Sequence, residues 1–189
     1  GWFGFNGGSQ LAADGGAALA ITVTHISAAT ASLSWAAWEK VKYGKASLVG
    51  MVTGTIAGLA SITPASGFVG PVEALIIGAI AGILCQEGTI FIKKNINIDD
   101  TLDVFAVHGL GGIFGTIMIS LLSFAGFENG SSFISQVGGI LIVGVYTIVV
   151  TAILILVIKQ FVPLRVSEEI ETEGLDLSEH GEKAYDFRS

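Results

Sequence analysis

Long runs without a formal charge dominate this chain. Gly15 to Trp38, Ala46 to Val72, Val104 to Phe127 and Asn129 to Ile158 carry none, and Pro71 to Ile92 carries only Glu73 and Glu87 near its ends. A bilayer core takes about 20 apolar residues per helix. The pattern therefore predicts five whole transmembrane helices, roughly at 13–38, 46–63, 71–92, 101–125 and 133–160, with residues 1–5 as the end of a sixth. That is an all-α polytopic membrane protein, with a membrane region over 1–162 and a polar tail over 163–189.

The connections between these runs alternate in charge. Lys40, Lys42 and Lys45 lie in one, Lys93 and Lys94 in another, and Lys159 and Arg165 follow the last span. The connections Ser61 to Gly70 and Gly126 to Ser132 hold no lysine or arginine. Basic loops stay on the cytoplasmic side, which predicts a multi-pass protein with its carboxyl terminus in the cytoplasm.

Composition agrees with a lipid-embedded chain, since 51% of the residues are hydrophobic and only 13% are charged. The net charge of −7 sits mostly in the tail, where eight acids and three bases follow from Arg165 onward. That acidity says little about the membrane part, and no basic cluster points to nucleic acid. Glycine is abundant, at 26 residues, and recurs every fourth position in Gly50/Gly54/Gly58, Gly78/Gly82 and Gly111/Gly115. Small residues at that spacing let membrane helices approach closely, a reading favoured over a direct role in a pore. A lone cysteine, Cys85, excludes an internal disulfide. There is no metal-ligand spacing, no phosphate-binding loop with a lysine and no nucleophile elbow, so neither an enzyme nor a cofactor is expected. Gly1-Trp2-Phe3-Gly4-Phe5 opens the chain in mid-motif, without an initiator methionine or signal peptide, as a piece of a longer polypeptide would.

Three features inside the spans carry chemistry. Asp100, with Asp103 three residues on, has the spacing of a capping box and predicts a helix starting near Thr101. At 1.5 Å per residue His108 then lies about 12 Å into a core about 30 Å thick. An ionisable group at that depth marks a transport path or proton relay; the alternative is a histidine hydrogen-bonded between helices. Desolvation favours the neutral ring, which donates from one nitrogen and accepts at the other. His25, flanked by Thr22 and Thr24, reads as a structural histidine satisfied by those hydroxyls. Trp2, Phe3 and Phe5 end a span ahead of Asn6-Gly7-Gly8-Ser9; they are interfacial anchors or, at a pore mouth, faces for a small cation.

Four segments in order resemble the ammonium transporter (Amt/Mep/Rh) family, and its Amt branch in particular. They are Gly1 to Asn6; Gly58-Leu59-Ala60-Ser61-Ile62-Thr63-Pro64-Ala65-Ser66-Gly67; Asp103 to Gly109; and the tail with Glu173-Gly174-Leu175-Asp176, His180-Gly181-Glu182 and Ala184-Tyr185. The resemblance implies the second part of an eleven-helix inverted-repeat fold, from the end of the sixth helix through the eleventh and the tail. By it, His108 is one of a pair of pore histidines, Phe5 the inner of two gating phenylalanines, and Ser9 the hydroxyl of an external ammonium site. Val104 and Phe105 fall near the pore lining. Gly174, Asp176, His180, Gly181, Glu182 and Tyr185 belong to a regulatory tail that contacts neighbouring subunits of a homotrimer and receives a PII signal-transduction protein. The implied function is passage of NH4+/NH3 across the membrane. A sensor of the same fold and a non-conducting fragment are the alternatives.

Overall fold

The computed structural model describes residues 1–96, 98–123, 132–183 and 185. All regular structure among them is helical. Five helices are long and apolar enough to cross a membrane: Gly15–Tyr43, Leu48–Ala65, Pro71–Ile96, Phe105–Leu122 and Phe133–Ile158. The chain divides into two compact units, Gly1–Leu141 and Ile142–Ser189.

The first unit opens with α1 (Trp2–Gly8), so Asn6, Gly7 and Gly8 continue the helix that the sequence reading ended at Phe5. Asp14 then starts α2 (Gly15–Tyr43), its carboxylate accepting from the N–H groups of Gly16 at 2.9 Å and Ala17 at 3.1 Å. The Ala17 N–H, before all else, holds the Asp14 carboxyl below the usual aspartate range. Gly44, at φ 78°, closes the helix in a left-handed conformation that glycine adopts without strain. Ser47 caps α3 (Leu48–Ile62), and Pro71 begins α4 (Pro71–Phe91) with the Glu73 carboxylate taking the Gly70 N–H at 3.0 Å.

These helices pack because glycine lets their backbones meet. A Cβ on Gly54 would lie 2.6 Å from Cβ of Trp35, and one on Gly58 2.7 Å from Cβ of Ala31. A Cβ on Gly78 would lie 2.9 Å from Cα of Ser27, and one on Gly115 would overlap the Ser61 carbonyl oxygen. The four-residue glycine spacing therefore serves packing, as read from the sequence. Hydroxyls cross the same seams: Ser27 Oγ donates to the Gly58 carbonyl and Ser32 Oγ to that of Met51, each at 2.9 Å.

The helix carrying His108 begins later than the capping box predicts. Asp100 does act as a cap, but its carboxylate accepts from the N–H groups of Val104 at 2.9 Å and Phe105 at 2.8 Å. Thr101 and Leu102 form a turn, and Asp103 stands at φ 55°. Its side chain pairs with Lys93 at 2.7 Å rather than folding back on the cap. A π-helical segment, Phe105–Leu110, follows and passes into α5 (Gly111–Leu122). Most of the connection 126–132 lies outside the described residues, as does Ala184 of the tail motif.

Phe133–Ile158 forms α6, which buries none of its residues. The second unit ends in two short helices, α7 (Glu168–Glu173) and α8 (Leu175–His180). Gly174, between them at φ 108°, and Gly181, at φ 66°, both occupy backbone that side-chain-bearing residues avoid.

Candidate functional site

Helix α1 presents Trp2, Phe5 and Ser9 at spacings of three and four, along one stripe. Ser9 ends the helix, and its hydroxyl donates to the Phe5 carbonyl at 2.7 Å. Phe5 is 64% exposed. Trp2 reaches from the start of this stripe to His108, and the two rings stack with centroids 5.9 Å apart and planes 23° from parallel.

A partly buried network fixes that indole. Trp2 Nε1 donates to Thr63 Oγ1 at 2.8 Å, and the Asn6 amide donates to Thr24 Oγ1 at 2.9 Å and to Thr63 Oγ1 at 3.3 Å. Each threonine gives its own proton to a backbone carbonyl, Thr63 to Leu59 at 2.7 Å and Thr24 to Ala20 at 2.6 Å. Both hydroxyls are thereby held as acceptors toward α1. Asn6, at 3% exposure, is the hub. The network joins α1, α2 and the end of α3 and sets the plane against which the imidazole lies.

His108 itself is exposed on this unit, in the π-helical segment. Such segments interrupt the regular hydrogen-bond ladder and recur at functional sites. With Val104, Phe105, Gly109 and Ile92 it lines an apolar cavity of about 660 Å3, which also reaches Asp99 and Asp100. Val104 and Phe105 are half or more exposed on the same wall. The structure thus brings His108, Val104 and Phe105 together, and ties His108 to the Phe5/Ser9 stripe through Trp2.

Counting from Phe105 instead of Thr101 puts His108 in the first turn of its helix, so the depth derived from Thr101 does not hold. Its stacking partner Trp2 is bonded to Thr63, at the end of α3 remote from the lysine-bearing connections. Sequence reasoning placed Trp2 only among the aromatics of the opening motif, gave Thr24 to His25, and assigned Asn6 and Thr63 no role of their own. Their signal was polar side chains inside apolar helices, which must find partners where water is absent.

His25 departs from its expected setting. Its ring is exposed and meets Phe3 edge-on at 5.6 Å. The neighbouring hydroxyls are committed to their own helix, Thr22 to the Ala18 carbonyl at 2.8 Å and Thr24 to that of Ala20.

The tail residues form a compact local motif. The Ser178 hydroxyl bonds the Gly174 carbonyl at 3.0 Å, and the Glu182 N–H bonds the Asp176 carbonyl at 3.0 Å. His180 ends α8, Gly181 reverses the chain and Tyr185 is 76% exposed.

Residues 1–185 match the description of the Ammonium Transporter Family. The chain belongs to that family. It is 45% identical over 194 residues to the ammonium transporter Amt1 of Archaeoglobus fulgidus, covering 98% of this chain and 49% of the relative. It is 43% identical over 195 residues to an ammonium transporter of Bacillus subtilis, covering 98% and 48%. Among solved structures, a "Sensor Amt Protein" superimposes with a TM-score of 0.85 at 33% identity, over 94% of this chain and 45% of that one. The chain thus spans about half the length of the curated relatives it matches. Like them it is a multi-helix membrane protein.

Proposed function

We propose that this chain supplies one wall of an ammonium-conducting pore, and that His108, flat against Trp2, is the group the substrate passes. The observation that carries this reading is the stacked imidazole in the wall of an apolar cavity, held by a hydrogen-bonded network of three helices. Taking a whole ammonium ion into an apolar passage is costly, because a buried charge without a partner is costly. Release of a proton at the mouth, near Ser9 and Phe5, lowers that cost. An imidazole in its neutral form has one donor and one acceptor to offer NH3. Phe5 gates the entrance, and Val104 and Phe105 line the path beyond it.

In the longer protein the opposing wall comes from the part that its relatives have and this chain does not span. The lysine-bearing connections and the tail face the cytoplasm of a plasma-membrane protein. The two positive-φ glycines shape the tail for docking in a homotrimer, where Gly174, Asp176, His180, Gly181, Glu182 and Tyr185 offer a surface to a PII protein. The family's transporters, rather than its sensors, set the expected activity.

The test is methylammonium uptake by the full-length protein carrying His108→Ala or His108→Glu. Each is expected to lower the rate or change the selectivity against potassium by about tenfold or more, equivalent to about 1.4 kcal/mol of barrier. Unchanged rate and selectivity in both would remove His108 from the path.

A further inference from the structure

A second cavity, of about 220 Å3, lies between α2, α3, α4 and the turn that precedes the His108 segment. Trp35, Glu39, Ser47, Gln86, Thr89 and Asp103 are among its lining residues. Gln86 is 3% exposed, and neither its Oε1 nor the buried Thr89 Oγ1 has a hydrogen-bond partner among the described residues. Buried oxygens are seldom left so. Both residues line the cavity, where a bound ligand would complete them.

Charge narrows the choice. Asp103 is balanced by Lys93 at 2.7 Å. The Glu39 carboxylate instead receives only neutral donors: the Ser47 N–H at 2.7 Å, the Ser47 hydroxyl at 3.1 Å and the Trp35 indole at 3.3 Å. Among the described residues it has no ion-pair partner, so of the two carboxylates lining the cavity it is the one left for a cation. Divalent ions draw several carboxylates or ordered waters into a tight shell, and no group of three His, Cys, Asp or Glu side chains among the described residues is placed to hold a metal ion. One carboxylate with an amide and a hydroxyl oxygen suits a single charge. The space exceeds that of a bare ion and leaves room for several waters, each taking about 30 Å3.

We propose that this cavity binds a partly hydrated monovalent cation of about potassium size, held by Gln86 Oε1, Thr89 Oγ1 and the Glu39 carboxylate. Occupancy clips the end of α2 and the start of α3 to the end of α4, beside the Asp103 turn that leads to His108. The site is separate from the proposed pore wall and stands whether or not that reading does.

The experiment uses the full-length protein in detergent. Its melting midpoint is measured in potassium chloride and in N-methyl-D-glucamine chloride at equal ionic strength, and crystals are soaked in thallium(I) for anomalous diffraction. Potassium is expected to raise the midpoint, and thallium to give a peak within reach of Gln86 and Thr89. Gln86→Leu and Thr89→Val are each expected to weaken the potassium response at least about tenfold in apparent Kd, the loss of one charge-assisted contact. In the large organic cation alone both variants should melt at or above the parent, since an unpartnered buried oxygen has been replaced by an apolar group. Equal midpoints for the parent in the two salts, an undiminished potassium response in both variants, or thallium peaks only elsewhere would overturn the proposal.

Discussion

Helices α3 and α6 both have the composition of a membrane span, yet they are used in opposite ways. Half of the apolar stretch of α3 is buried, whereas α6, the most apolar of the five, buries nothing. In water that ordering would be a contradiction, because the most hydrophobic segment would be driven inside. In lipid the tails are as apolar as leucine, so apolarity gives no reason to leave them. What draws α3 into contact is its glycines, which admit neighbouring backbones, and its polar groups, which need partners. The difference teaches that hydropathy locates a span and small or polar residues locate an interface.

The largest effect should come from filling a close approach on the buried side. Gly115→Leu pushes a side chain into the Ser61 carbonyl, and overpacking of this kind costs about 1–3 kcal/mol or more. Gly144→Leu on α6 meets open space and should leave the melting point of the full-length protein nearly unchanged. Equal destabilisation by the two would break the comparison.

Next in size is the polar seam. Thr63→Val removes the acceptor shared by Trp2 and Asn6 and leaves a partly buried indole N–H unpaired, a loss of about 1–3 kcal/mol. Methylammonium uptake should fall together with stability, because the plane behind His108 is loosened. Thr22→Val, whose hydroxyl is exposed and bonded only within its helix, is the control and should change neither.

Smaller still is the Lys93–Asp103 pair, where one partner is well exposed. Lys93→Met should cost no more than about 1 kcal/mol in thermal unfolding. The smallest effect belongs to Asp14. Its carboxyl is held below the ordinary aspartate value by the Ala17 N–H, so the ionised cap stabilises α2 above that ordinary value, and the contribution is lost as pH falls through the depressed one. Asp14→Ala should flatten that acid limb of the unfolding profile and have its full effect at neutral pH.

The spans were legible because charge gaps and bilayer thickness are both simple lengths. The glycine spacing was legible too, since only close packing uses it that way. Helix starts were less so. Asp100 and Asp103 have the letters of a capping box, but the nearby Lys93 charge and a positive φ at Asp103 direct the second acid elsewhere, and the helix starts at Phe105. Nothing local in Phe105–Leu110 announces a π-helical segment. His25 misled for a related reason, because adjacent threonines in a helix turn their hydroxyls back to their own carbonyls. The proposed site residues came from the family resemblance; the network behind Trp2, through Asn6, Thr24 and Thr63, depends on three helices meeting and has no spacing of its own.

The central claim is that His108 borders the route of the substrate. It is tested most directly by a high-resolution structure of the full-length protein in a lipid disc at high ammonium concentration. The account predicts a file of density for small molecules along the free face of the His108 ring, with Trp2 closing the other face. A ring sealed between helices with no density beside it, or one turned toward acyl chains, would contradict it.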